Sequence, residues 1–163
     1  MTLQQLDFRK LTQALKKEHP VILWLDDERD PNAICPSFIG DDSIQDKPTW
    51  VESIVGESNP GNWDVVWVKN YKQFTNYLEL AVLPDVVCFD HDLGEQASGK
   101  DCANYLVYIL EERNLFGPVI RSQSANPCGV QNIYGLFDNW HSEWMKRNHV
   151  TPETLIDLIS DTK

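Results

Sequence analysis

Basic residues are scarce: lysine and arginine total 14 against 25 aspartates and glutamates, a formal net charge of -11. So acidic a chain offers no broad DNA-binding surface. Any polyanionic ligand must be met locally, by a bound cation, by Arg29, Lys69 or Arg121, or by backbone amides. Long apolar runs are missing too. No stretch approaches the ~20 residues of a membrane span, and the first twenty residues lack a continuous apolar leader core. No membrane association and a cytoplasmic location are therefore expected. Cys35, Cys88, Cys102 and Cys128 form neither a CxxC pair nor a zinc-like spacing, so reduced thiols are the default. Cys88 in an apolar strand and Cys102 on a helix read as small buried hydrophobes. Repeats and low-complexity tracts are absent, and 163 residues with 42% hydrophobic content suit one domain spanning 1–163.

What is present alternates between strand and helix signals. Thr2 caps an amphipathic helix over 2–18, which Pro20 ends. Residues 21–27, VILWLDD, read as a strand buried on both faces and closing in two acids. Residues 28–63 carry Pro31, Pro36, Pro48 and Pro60 and little periodicity, with a helical hint only at 50–55. A connection of that length is either a functional lid or partner-binding insertion, or a plain surface insertion. A second strand (63–71) leads into a helix (71–81). A third strand, 86–94, again ends in acids, and a helix over 100–114 precedes a fourth strand at 119–124. ANPCGVQN reads as a turn-rich loop before C-terminal helices over 130–160, the last opened by Thr151 and Pro152. No fifth strand is evident. This alternation predicts an α/β fold with a parallel sheet of about four strands.

In such sheets ligands bind beyond the carboxyl ends of the strands, where Asp26, Asp27, Asp90, His91, Asp92, Gln123 and Ser124 all fall. Four carboxylates in one crevice repel unless protonation or a hard cation neutralises them. Mg²⁺ (or Mn²⁺) on Asp26, Asp27, Asp90 and Asp92 is the natural answer, completed by a phosphate. Helix capping or solvent exposure explains a single acid well and two clusters poorly. His91 suits a general acid or base, or an ordinary packed ring. Arg29 can fork onto a phosphate or pair with Glu28 or Asp30. Lys69 can reach a ligand or snorkel to solvent. Ser124 can orient a phosphoryl oxygen or open a turn. Asn126, Gly129 and Asn132 suggest a backbone-amide nest for an anion or a base edge, a plain turn being equally available.

Paired acids ending strand 1, Asp90 ending strand 3 and Ser124 ending strand 4 resemble a receiver domain, of flavodoxin-like, three-layer architecture. The resemblance implies Mg²⁺ on the acids and phosphoryl transfer to Asp90. LWLDDERDP, WVKNY, CFDHDLG and QSANPCGVQNI, together covering 21–137, resemble more closely the cyclic-phosphate-processing receiver domain. That branch implies action on cyclic phosphates of nucleotides or RNA ends, with His91 and Asp90 catalytic and Arg29, Lys69, Gln123, Ser124, Asn126 and Asn132 around the substrate. Two departures stand out. The strand-5 lysine of ordinary receivers is absent, and Gln123 stands where the branch has a second histidine, which a glutamine cannot replace in proton transfer. The expectations are therefore a metal-dependent phosphoesterase, a catalytically impaired nucleotide- or protein-binding module using 28–63, an inhibitor of its partner being one form of this, or a phosphoaccepting receiver.

Overall fold

Four short apolar runs build the centre of the molecule. In the computed structural model, which describes residues 19–55 and 63–155, they form β1 (Val21–Leu25), β2 (Asp64–Val68), β3 (Val86–Phe89) and β4 (Val119–Ser122). All pairings are parallel, in the order β2-β1-β3-β4. β1 and β3 lie inside the sheet with both faces covered, which is why VILWL and VVCF are unbroken rather than alternating.

Alternate strand residues sort into two cores. Leu23, Leu25, Val87, Phe89 and Ile120 meet Phe74 and Leu78 of α2 (Tyr71–Leu80), Leu106 and Leu110 of α3 (Gly99–Arg113), and Ile133 and Phe137 of α4 (Pro127–Arg147). Ile22, Trp24, Val86, Cys88 and Val119 meet Val51 and Val55 of α1 (Trp50–Val55) on the opposite face. The expected three-layer arrangement follows. Right-handed crossovers explain it, because the chain moves one way from β1 to β2 and the other way afterwards.

The strands are shorter than the periodicity suggests, because the acids and polar residues after each one turn out of the sheet. The largest departure is at ANPCGVQN. Helix α4 starts at Pro127, not at 130. Asn126 is its N-cap, accepting from the Gly129 N–H at 3.0 Å, and Pro127 sits where a helix needs no N–H. The segment after β1 is partly ordered by pairing. Ile34 bridges Thr49, Cys35 N donates to Pro48 O at 3.0 Å, and Trp50 N donates to Ala33 O at 2.9 Å, which delivers the chain to α1. The expected helix over 2–18 lies outside the described residues, as does the end of the last helix, of which 152–155 are helical.

Among the described residues β4 is an edge strand, and side chains terminate that edge. Val119 N and Gln123 N donate to Asp85 O and Phe89 O, so Ile120 and Ser122 turn their backbone groups outward. There the Tyr134 hydroxyl accepts from Ser122 N at 3.0 Å, and Arg121 Nη1 donates to Ile120 O at 2.9 Å. Burial pushes the Cys88 and Cys102 thiols up to about 12, which leaves them protonated and inert. No helix among the described residues is long and apolar enough to cross a membrane.

His141 on α4 is buried and stacked on Phe116, with ring centroids 4.4 Å apart. Burial holds its imidazole down, from 6.5 to about 4, so the folded chain keeps it neutral. Its stabilising contribution is complete above pH 6.5 and is lost as pH falls toward 4. That loss amounts to about 3 kcal/mol at most. His141→Phe is expected to flatten this part of the stability profile, measured by urea unfolding at several pH values. Parallel profiles for the two proteins would refute this.

Candidate functional site

Parallel pairing carries the site residues into register one step beyond the strands. Asp26 N donates to Val68 O at 3.1 Å, Asp90 N to Leu25 O at 2.9 Å and Gln123 N to Phe89 O at 3.1 Å. Asp26 and Asp90 are thereby held on neighbouring strand ends, and both are buried, with Asp26 fully so. Carboxylate oxygens of Asp26, Asp27 and Asp90 all lie within 4.8 Å of one another. They line a crevice of about 300 Å³ together with Glu28, Arg29, Asp92, Gly94 and Ser124.

The loop after β1 is clamped at several atoms. Asp26 Oδ1 accepts from Glu28 N at 3.0 Å and Arg29 N at 2.7 Å. The indole of Trp24 donates to Arg29 O at 2.9 Å, and that of Trp67 to Asp26 O at 2.7 Å. Arg29 Nη1 then reaches back to Asp26 Oδ2 at 3.1 Å, Gln123 O at 3.3 Å and Asp90 Oδ1 at 3.6 Å, with the guanidinium 5.4 Å from the Trp50 ring centre. Gly94 closes the opposite wall in a left-handed conformation, φ +63°; a Cβ there would stand 2.8 Å from Asp27 Oδ2.

Desolvation, reinforced by the neighbouring Asp26 charge, raises the Asp90 carboxyl above its usual range. The Ser124 hydroxyl, the Arg29 guanidinium and the His91 N–H, the last at 2.8 Å from Asp90 Oδ1, oppose that rise without cancelling it. A divalent ion with oxygens about 2.1 Å away needs them roughly 3 to 4 Å apart. Asp26, Asp27 and Asp90 suit such an ion in donor type and come near its spacing, and their mutual repulsion, which Arg29 offsets only in part, favours one.

His91 sits beside this crevice rather than among its lining side chains. Its Nδ1 lies 3.0 Å from Asp92 Oδ1. Ionised Asp92 only accepts, so neutral His91 carries its proton on Nδ1 and leaves the Nε2 lone pair free. That contact, first among its causes, holds the Asp92 carboxylate below its usual range, and the Asn126 amide adds to it. The 3.4 Å approach of Asn126 Nδ2 to the same ring nitrogen is then a simple contact. Gly129, in the first turn of α4, lies flat against the ring; a Cβ there would be 2.3 Å from His91 Cγ.

Of the residues singled out in the sequence, Asp26, Asp27, Asp90, Arg29 and Ser124 share the crevice, and Asp92 stands at its rim, its side chain 70% exposed. Gln123 is buried behind it, donating through Nε2 to Leu25 O at 2.9 Å, while its Oε1 has no partner. Lys69 points elsewhere, its ammonium 4.1 Å from the Trp67 ring centre, and Asn132 is exposed on α4. Asn126 and Gly129 form a capped helix turn instead of a loop nest. Trp24 and Trp67 escaped the sequence reading because a tryptophan in an apolar run reads as core. The one available signal was that a buried indole N–H demands an acceptor.

A parallel sheet of this order, with acids beyond β1 and β3 and a serine beyond β4, defines a receiver-like module. The chain matches the model of the cyclic-phosphate processing receiver domain over residues 21–139, and it belongs to that family. Curated protein sequences give no match. Solved structures with a similar course include a fusion carrying the trimeric coiled-coil segment of yeast Spc42. It shares 13% identity at a TM-score of 0.46, covering 88% of this chain and 90% of that one. Another is the phosphorylated cyanobacterial phytochrome response regulator RcpA, with 18% identity, a TM-score of 0.42, and coverage of 87% and 89%.

A carboxyl whose value is raised on folding costs stability at neutral pH and regains it as pH falls. Asp90→Asn is therefore expected to stabilise the chain at pH 7, seen as a higher urea midpoint. A lower midpoint would show that Asp90 serves the fold rather than a ligand.

Proposed function

We propose that the chain binds a cyclic or terminal phosphate of a nucleotide or RNA end and hydrolyses it with the help of a divalent cation, Mg²⁺ or Mn²⁺. The observation that carries this reading is the convergence of Asp26, Asp27 and Asp90 on one crevice that also presents Arg29 and Ser124. When bound, the ion supplies charge neutralisation to the acids and polarises a phosphoryl oxygen. Arg29 contributes a planar fork suited to two phosphate oxygens. The Ser124 hydroxyl, which donates to Asp90 in the structure, turns its one proton to the phosphate from the β4 side. His91, held by Asp92 with Nε2 free, carries a proton to or from the reacting ester from the rim.

A second reading rests on Gln123. Its amide occupies the place of the family's second histidine, and His91 stands outside the lining, both of which favour a module that binds phosphate esters without turning them over. The two readings part on one experiment. Turnover of 2′,3′-cyclic nucleotides, with and without Mg²⁺, is expected to require the ion and to fall by about 10²–10⁴ in the Asp90→Asn, His91→Ala double variant. Equal rates in both proteins would sink the hydrolase. Mg²⁺-dependent nucleotide binding by calorimetry with no turnover would select the binder.

A further inference from the structure

Asp26 has no vacancy for a cation as it stands. Oδ1 already accepts from two backbone N–H groups, Glu28 N at 3.0 Å and Arg29 N at 2.7 Å. Oδ2 faces Arg29 Nη1 at 3.1 Å, with Gln123 Nε2 at 3.5 Å behind it. The same guanidinium nitrogen stands 3.6 Å from Asp90 Oδ1. One positive charge thus spans two of the three carboxylates that would hold a divalent ion. Both charges cannot keep those oxygens at once, because each needs the same lone pairs and they repel each other.

We infer that Arg29 is the resident counter-cation of the Asp26–Asp90 pair and that a divalent ion binds by displacing it, which frees the guanidinium for the substrate phosphate. The backbone of Arg29 does not move in this exchange. It is fixed by Asp26 Oδ1 on its N–H and by the Trp24 indole on its carbonyl, at 2.9 Å. Only the side chain swings. It is 27% exposed and already lines the crevice, and the Trp50 face gives it a surface to slide along on its way to the mouth. Cation and phosphate binding then become coupled: the ion vacates the very group the phosphate uses, so the ion binds first. The electrostatics agree with this order. Without the ion an approaching phosphate meets three acids and a guanidinium already engaged. With it, the same phosphate meets two uncommitted positive groups.

The inference rests on the cation site proposed above, and its test separates the two. Mg²⁺ alone is titrated by calorimetry into the full chain, into Arg29→Gln, and into Lys69→Gln, which removes an equal charge outside the crevice. Loss of the competitor is expected to tighten Mg²⁺ binding to Arg29→Gln by about tenfold, with Lys69→Gln within about twofold of the parent chain. Unchanged or weaker binding to Arg29→Gln, with the parent chain binding Mg²⁺, overturns displacement and leaves the cation site standing. Equal tightening in both variants overturns it as well, since a long-range field would then explain the gain. No binding to any of the three removes the cation site and the inference together. A second readout needs no variant: the Arg29 side-chain Nε–H resonance of the parent chain shifts as Mg²⁺ is added. A resonance that stays put while Mg²⁺ binds contradicts the exchange.

Discussion

Everything at the crevice depends on the repulsion between two carboxylates that the sheet forces together. Parallel register leaves Asp26 and Asp90 side by side on strands that cannot separate without breaking the central pairing of β1 with β3. Two unit charges about 4 Å apart in a partly dielectric interior repel by about 4 kcal/mol. That stress adds to desolvation in raising the Asp90 carboxyl, and donors crowd around Asp26. The fold withstands it because large apolar surfaces lie below the acids on both sheet faces.

The surroundings answer this stress in two ways. On one side the answer is positional: Trp24 and Trp67 spend their indole N–H groups on loop carbonyls, which fixes where Asp26 and Arg29 begin. On the other side the answer is steric: α3 and α4 press their first turns against the loop after β3, and Gly129 leaves room for the His91 ring alone. The crevice therefore has a half of acids and guanidinium built on β1 and a half around His91 built on β3 and α4. Asp90 and Asp92, two residues apart, link the halves, one facing inward and the other outward.

Much of this was legible in the sequence. Unbroken apolar runs ending in acids gave the two inner strands, the alternation of elements gave the parallel sheet, and the placement of a crevice beyond strand ends gathered Asp26, Asp27, Asp90, Arg29 and Ser124. Where the reading failed, side-chain capping overrode local composition. ANPCGVQN is rich in turn formers, yet Asn126 and Pro127 are the residues that start a helix, so a segment read as loop became the first turn of α4. The segment after β1 looked irregular because its order comes from a bridge between distant residues, Ile34 and Thr49, which leaves no periodic trace. Lys69 shows a different limit. The sequence places it on the second strand, yet β2 ends at Val68, and the neighbouring Trp67 ring decides which way its ammonium turns.

The side-chain termination of β4 bears on how the molecule can assemble. An edge strand normally offers free N–H and C=O groups to any passing strand, its own kind included. Here the Tyr134 hydroxyl and the Arg121 guanidinium occupy two of the outward groups. Joining a foreign strand to this side means breaking both bonds and moving α4 away. Growth of the sheet past β4 is thus discouraged by the domain's own residues.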